Sequence, residues 1–536
     1  MIHPTRWEDL ELRGELGRRA RLSFQRLEDY TPAFTMGGNK GWPGDREGRA
    51  ILGQVLIGQT VRRESAQTEA LLAGLPQGIL GPPLDLETIN EQQLAGHGWM
   101  LRGLCEHQAR SGRDDVRRRV RGIVDELFLP LRGRLRSYPI DPRRRGPPDG
   151  APAGHLARGV VQGWRLSSDV GAVFIALDGL SHAWETDPRP ELEELIEEAI
   201  ARFSETDPVA LGGQTHATLT ALRALLRWHR LRGRPALLGR VRALFDTYRR
   251  EAYTEQHHNW NWFGRPKWTE PCAVVDSFQV ATGLWRATGD ARYLPIAQEI
   301  LFTGLARQNH AGGYGCDICT GALGQTAVKV FKDVYDCHWC CTMRGAEGWA
   351  RAAEWCWCVD GDLARLPWPS DSTAVVRLPG ATWKVRQESA YPEDGVSVFT
   401  VEAAPPAGAK LDLALYAAPW VDRARASGVA SWDGDWAVAR LPARAGARVR
   451  VDLPFGLRRQ PALSGMGGTH VSFRHGPLLL GVEGGSRPAA ALGEPEPLGG
   501  GRYRAADGST LEPLGEGTWR PEAECRRYER EVLFAV

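Results

Sequence analysis

The chain has 536 residues, 42 % of them hydrophobic and 25 % charged, with 67 Lys+Arg against 65 Asp+Glu and a net charge of +2. This balance excludes a disordered chain, a collagen-like repeat and a membrane bundle, and it leaves no whole-chain footprint for nucleic acid or an anionic membrane surface. The length exceeds what one core fills. Ten Cys are too sparse for a disulfide scaffold, while twenty Trp offer aromatic platforms that suit sugar rings as well as cores.

The opening residues lack a charged region followed by an apolar stretch, and no window approaches the ~18 uninterrupted apolar residues of a membrane span. A cytoplasmic, reducing location is expected. There, clustered cysteines signal metal or catalytic thiols rather than disulfides.

From about residue 48 to 360 the apolar spacing is helical. Ile51, Leu52, Val55 and Leu56 share one face. Pro190 suits the first position of a helix whose first turn carries Glu191, Glu193 and Glu194, where carboxylates favour the dipole. Further helices are predicted over roughly 62–74, 87–110, 116–128, 169–185, 215–230, 235–250, 272–287, 291–307 and 342–358. Gly112-Arg113-Asp114, Gly233-Arg234-Pro235 and Gly289-Asp290-Ala291 each close one amphipathic stretch and open the next. Antiparallel helix pairs with almost no strand signal between them predict a closed ring of hairpins, an (α/α) barrel. The run Arg143-Arg144-Arg145 reads as a solvated loop.

Near residue 365 the apolar period falls from 3.6 to 2. Val375–Leu378, Val396–Phe399, Leu411–Leu415 and Val449–Val451 are strand-like, separated by Gly, Pro and Asp, which predicts a β-sandwich. Residues 484–517, rich in Gly, Pro and Glu, read as a long surface excursion. The expected organisation is mainly α: a helical barrel over 1–364 and a β-sandwich domain over 365–536.

The cysteines carry the chemistry. By spacing alone, Cys316-x2-Cys319-x17-Cys337-x2-Cys340 fits a four-thiolate structural zinc site. A second arrangement joins Glu270 and Cys272 to the adjacent pair Cys340-Cys341, three thiolates and a carboxylate around one Zn2+, a donor set that suits zinc over Mg2+ or Ca2+. Zinc lowers a thiol's pKa, so a thiolate held there can act as a nucleophile. Cys105, Cys356, Cys358 and Cys525 read as small core residues. Gly465-x-Gly467-Gly468 lacks the strand-to-helix context of a nucleotide loop.

Several motifs occur in one order along the chain: Gly96-His97-Gly98 with Leu101-Arg102-Gly103-Leu104, His216-Ala217, Trp268-Thr269-Glu270-Pro271-Cys272, Gly289-Asp290 with Tyr293-Leu294, Trp339-Cys340-Cys341 and His475-Gly476-Pro477-Leu478. Together they resemble glycoside hydrolase family 127, the β-L-arabinofuranosidases. The resemblance implies an (α/α)6 barrel followed by β-sandwich structure, and a retaining exo-glycosidase releasing L-arabinofuranose or a related sugar. It implies Cys340 as nucleophile, with Zn2+ held by Glu270, Cys272, Cys340 and Cys341. The family's general acid/base matches Glu255 across a one-residue gap. His97, His216 and Arg49 fall at sugar-contact positions, Arg49 standing where the family has a histidine after Gly48. The implied partner is a small carbohydrate, with no nucleic acid and no membrane.

Each residue also has a plainer reading. His97 and His216 fit satisfied core histidines, Glu255 fits a helix-end acid, and the thiols fit a closed structural zinc site. The competing functions are therefore a non-catalytic zinc protein that binds carbohydrate, and a sugar isomerase or lyase in the same barrel.

Overall fold

A computed structural model describes residues 2–36, 41–145, 153–315, 317–318, 325–330, 336–405, 409–463, 466–485, 487–517 and 529–536. Six helices form an inner ring: α1 (Asp45–Val61), α2 (Glu91–Ser111), α3 (Ala176–Thr186), α4 (Thr215–Arg232), α5 (Pro271–Thr288) and α6 (Cys341–Trp355). Each packs against the next, and α6 closes back on α1. The helices Gly14–Leu27, Ala66–Gly74, Asp114–Ile123, Pro190–Ser204, Pro235–Glu251 and Tyr293–Glu299 alternate with them along the chain and lie against their outer faces. Because outer and inner helices alternate as hairpins, all six inner helices run parallel, and their N-terminal ends share one face of the ring.

Local chemistry sets these boundaries. The Ser65 hydroxyl accepts from the Gln67 N–H, and the Asn90 side chain accepts from the N–H groups of Gln92 and Gln93. Gly112, Gly233 and Gly289 end their helices in the left-handed conformation, as their punctuation predicts. Between α1, α2 and α3 the backbones touch. A Cβ on Gly48 would lie 2.3 Å from the Met100 nitrogen, one on Gly103 would lie 2.3 Å from the Gly48 oxygen, and one on Gly179 would lie 2.2 Å from the Gly98 oxygen. These glycines let Arg49 on α1 reach the Trp99 ring on α2.

The ring interior is charged yet buried. Asp276 on α5 accepts from Arg223 on α4 at 2.6 Å and from Arg344 on α6, and Arg223 continues to Glu347 at 3.1 Å and Asp178 at 3.2 Å. Toward the C-terminal ends, a cavity of about 640 Å³ is lined by Arg102, Arg227, Arg230, Arg286 and Arg351. Guanidiniums there face the negative ends of the inner helices.

The β-rich half contains three sheets. One runs His3–Pro4, Cys358–Asp360, Leu363–Leu366, Lys410–Tyr416, Trp436–Pro442, Ser431–Asp433; a second runs Arg448–Asp452, Val396–Ala403, Ala381–Ser389, Ser372–Leu378, Leu10–Leu12. The chain's first strands thus complete sheets built mostly from its last third, and the first strand after α6 is Cys358–Asp360. The third sheet includes Leu457–Pro461, His470–His475 and Leu478–Glu483, and docks on the helical half. Thr303 Oγ1 donates to the Pro477 carbonyl at 2.9 Å and accepts from the Leu479 N–H at 3.0 Å.

Two segments carry more structure than their sequence suggests. In the 484–517 segment, Glu496–Gly499 and Arg502–Arg504 pair across a glycine turn, and Thr510–Pro513 pairs antiparallel with Leu478–Glu483 in the third sheet. In the arginine run, Arg143 is solvated but Arg145 is 3 % exposed, its Nη2 donating to Glu91 at 3.0 Å. Among the described residues no helix is long and apolar enough to cross a membrane.

Candidate active site

Two hairpins missed by the periodicity feed the N-terminal face of the ring. Leu156–Val161 pairs with Trp164–Ser167 ahead of α3, and Trp260–Trp262 pairs with Arg265–Thr269 ahead of α5. The second hairpin delivers Glu270 as the N-cap of α5, Pro271 fixes the first helical position, and Cys272 follows in the first turn. On the neighbouring α6, Cys340 is the N-cap and Cys341 the first residue.

The helix starts converge. One ligand atom from each of Glu270, Cys272, Cys340 and Cys341 lies within 4.8 Å of all the others, and this is the metal-compatible cluster found among the described residues. The Cys340 and Cys341 sulfurs are 3.4 Å apart, Cys272 and Cys341 are 3.6 Å apart, and the Cys340 sulfur is 4.0 Å from Glu270 Oε1. Disulfide sulfurs bond at about 2.05 Å, whereas two sulfurs on a tetrahedral zinc, each about 2.3 Å from it, sit about 3.8 Å apart. The spacing fits thiolates sharing one metal ion and not a disulfide.

Cys340 differs from its neighbours. It is half-buried, while Cys272 and Cys341 are buried. Hydrogen bonds with Cys272 and Cys341 lower the Cys340 thiol to about 7, and burial pushes Cys272 up to about 12. The half-buried Cys340 sulfur is thus more easily ionised than the buried Cys272 sulfur. Cys316 and Cys319 lie outside the described residues, and Cys340, their fourth partner by spacing, belongs to the cluster with Glu270.

Arg49 and His216 support the cluster. Arg49 Nη1 donates toward the Cys272 sulfur at 3.5 Å, its Nε donates to Asp45 at 2.9 Å, and its guanidinium lies 4.2 Å from the Trp99 ring centroid. Arg49 Nη2 is 3.4 Å from His216 Nε2, and His216 Nδ1 is 2.7 Å from Asp276 Oδ2. A guanidinium only donates, so Nε2 accepts, and the neutral ring gives its Nδ1 proton to Asp276. Burial lowers the His216 pKa in the same direction.

Two expected residues are fully buried and held by hydrogen bonds. His97 is fully buried, with Nδ1 2.8 Å from the Gln93 carbonyl and Nε2 accepting from the Leu80 N–H at 3.0 Å. It lies two residues before Trp99, which faces Arg49, so helical geometry turns it away from the cluster. These hydrogen bonds fit the plainer reading, a satisfied core histidine. Glu255 is also fully buried, and both its oxygens are engaged: Oε1 accepts from Arg474 at 2.7 Å and Oε2 from the Leu463 N–H at 2.7 Å. This carboxylate ties the third sheet to the helical half.

Sequence reasoning missed Asp45, Trp99, Asp276 and Arg344. Helical spacing carried a signal for two of them. Asp45 lies four residues before Arg49 and Asp276 four after Cys272, each on the same helix face as its partner.

No family model matches the sequence, and no curated protein matches it. Solved structures do match. A GH127 β-arabinofuranosidase superposes with a TM-score of 0.73 at 14 % identity, over 100 % of this chain and 98 % of its own. A second structure, described as a glycoside hydrolase, gives a TM-score of 0.69 at 13 % identity, over 99 % and 97 % of the two chains. A GH127 β-L-arabinofuranosidase from Geobacillus stearothermophilus T6 gives 0.68 at 13 %, over 98 % and 100 %.

The chain has the GH127 fold. The match runs through helical and β-rich parts alike, so the order of motifs read from the sequence reflects a shared architecture. At this identity the GH127 likeness establishes the fold; the chemistry has to be argued from the cluster itself.

Proposed function

We propose that the protein is a retaining exo-glycosidase acting on an L-arabinofuranoside or a related sugar, with Cys340 as nucleophile. The observation that carries this reading is the group Glu270, Cys272, Cys340 and Cys341, gathered where two inner helices begin. The ring of six inner and six outer helices is read here as an (α/α)6 barrel, and the two sheets beyond it as a β-sandwich. The Geobacillus stearothermophilus T6 GH127 β-L-arabinofuranosidase, which has the same fold, supports the sugar class.

Glu270, Cys272, Cys340 and Cys341 would hold one Zn2+, which when bound keeps their thiols ionised near neutral pH and makes the nucleophilic sulfur a competent leaving group. Cys340 attacks the anomeric carbon, and a carboxyl group protonates the departing oxygen. Water activated by the resulting carboxylate then releases the sugar from Cys340. This departs from the usual pair of carboxylates. Arg49 holds Cys272 in place, and His216, braced by Asp276, holds Arg49. Trp339, next to Cys340 in sequence, is 40 % exposed and packs edge-on to His338, a platform suited to a sugar ring.

Protein purified without chelator is expected to carry one zinc per chain by elemental analysis, and Cys272→Ser to lose it. Normal folding and turnover without zinc would sink that assignment. The activity itself is tested with a panel of nitrophenyl glycosides that includes both anomers of L-arabinofuranoside. Release of nitrophenol from the β-L-arabinofuranoside is expected, and silence across the panel with zinc bound would favour a non-catalytic binding protein.

A further inference from the structure

Glu255 leaves a gap in this chemistry, because a proton donor needs an oxygen that can reach the leaving group, and both oxygens of Glu255 are held. Another carboxyl at the same face of the ring has an oxygen that no hydrogen bond holds. Asp169 stands in the loop between the Trp164–Ser167 strand and α3 and is 7 % exposed. Its Oδ2 accepts from the Gly154 N–H at 3.1 Å, while its Oδ1 is buried with no hydrogen-bond partner.

Asp169 has neighbours in a similar condition. The Gln214 N–H donates to the Val170 carbonyl at 2.9 Å, Gln214 bridges to Trp262, and Trp262 Nε1 donates to the Ser168 carbonyl at 3.0 Å. Segments 168–170, 213–215 and 260–263 are thus stitched side by side ahead of α3, α4 and α5. On them Gln214 Oε1 and both polar atoms of the Asn261 side chain are also buried without a partner. Buried polar atoms left without partners are costly, so a cluster of them at the face of the ring where α3, α4 and α5 begin calls for a ligand rich in hydroxyls.

We propose that Asp169 is the proton-transfer residue of this site, and that Gln214 and Asn261 beside it hold hydroxyls of the sugar. The proposal rests on the glycosidase reading above. As the bond from the Cys340 sulfur to the anomeric carbon forms and the bond to the leaving oxygen breaks, protonated Asp169 gives its proton to that oxygen. In the second half, water bonds to the anomeric carbon, its proton returns to Asp169, and the Cys340 sulfur departs with the electron pair. Atoms and charge balance with no other reactant.

Electrostatics support the protonated form. Burial raises the Asp169 carboxyl to about 7; the Gly154 N–H and Arg49 oppose this, and the carboxylates of Glu91 and Asp45 reinforce it. Glu91 is itself paired with Arg145, and Asp45 with Arg49. An acid that must be protonated works below its pKa, so turnover limited by Asp169 falls as pH rises through that value.

The test is kinetics of wild type, Asp169→Asn, Asp169→Glu and Glu255→Gln on aryl glycosides of graded leaving-group ability. Asp169→Asn is expected to lose about 100-fold or more with a poor leaving group, much less with dinitrophenolate, and to recover turnover with azide. Asp169→Glu, which keeps a titratable carboxyl, should retain an alkaline limb that Asp169→Asn lacks. Glu255→Gln should show no such leaving-group dependence. Wild-type-like rates for Asp169→Asn with the poor leaving group, or the graded loss in Glu255→Gln instead, would overturn the assignment while leaving Cys340 chemistry intact. No turnover by wild type on any glycoside would remove the glycosidase reading and this proposal with it.

Discussion

Cys340→Ser is expected to abolish turnover, by on the order of 10⁴-fold or more, while the helical ring stays folded. The half-buried Cys340 thiol ionises near 7 through its hydrogen bonds with Cys272 and Cys341, whereas a serine hydroxyl in the same place stays protonated. The substitution also removes one soft ligand, so metal affinity falls as well. Assay at saturating zinc separates the two effects: Cys340→Ser stays inactive when reloaded. Cys340 precedes the first residue of α6 and makes no side-chain cap, so circular dichroism should be nearly unchanged.

Asp276→Ala is expected to cost the largest share of stability, about 3–5 kcal/mol in chemical denaturation. Asp276 is fully buried and takes hydrogen bonds from Arg223, Arg344, Thr220 and His216. Removing it leaves two buried guanidiniums short of their counterion and frees the ring that positions Arg49. The magnitude follows from burial rather than from charge as such. Lys384 and Glu402 are 3.0 Å apart but 50 % and 32 % exposed, and breaking that pair should cost less than about 1 kcal/mol. A denaturation midpoint for Asp276→Ala close to wild type would contradict the bracing role.

The helices were legible through their apolar periodicity, joined at α2, α4 and α5 to a glycine stop at Gly112, Gly233 and Gly289. The strands around 375–378, 396–399, 411–415 and 449–451 were legible through their period-2 alternation, while Ala381–Ser389 and Trp436–Pro442 were not singled out. What the sequence hid depends on distance in space. The hairpins before α3 and α5 are short and irregular, with shifted registers, so they carry too little alternation to stand out. Arg145 sits in a run of charge that reads as solvated, and only the fold brings Glu91 to it. Spacing offered two groupings of the cysteines, one with Glu270 and Cys272 beside Cys340-Cys341, and that these four meet follows from α5 and α6 being neighbours in the ring. Glu255 matched by position alone; its partner Arg474 lies 219 residues away in the third sheet.

The central claim is that a sulfur, not a carboxylate, forms the bond to the sugar. It is tested most directly by incubating the zinc-loaded protein with an electrophilic L-arabinofuranose analogue and locating the adduct by peptide mass spectrometry. One adduct per chain on Cys340, absent from Cys340→Ser and blocked by free sugar, is the predicted result. An adduct on Glu270 or another carboxylate, with Cys340 unmodified, would contradict it.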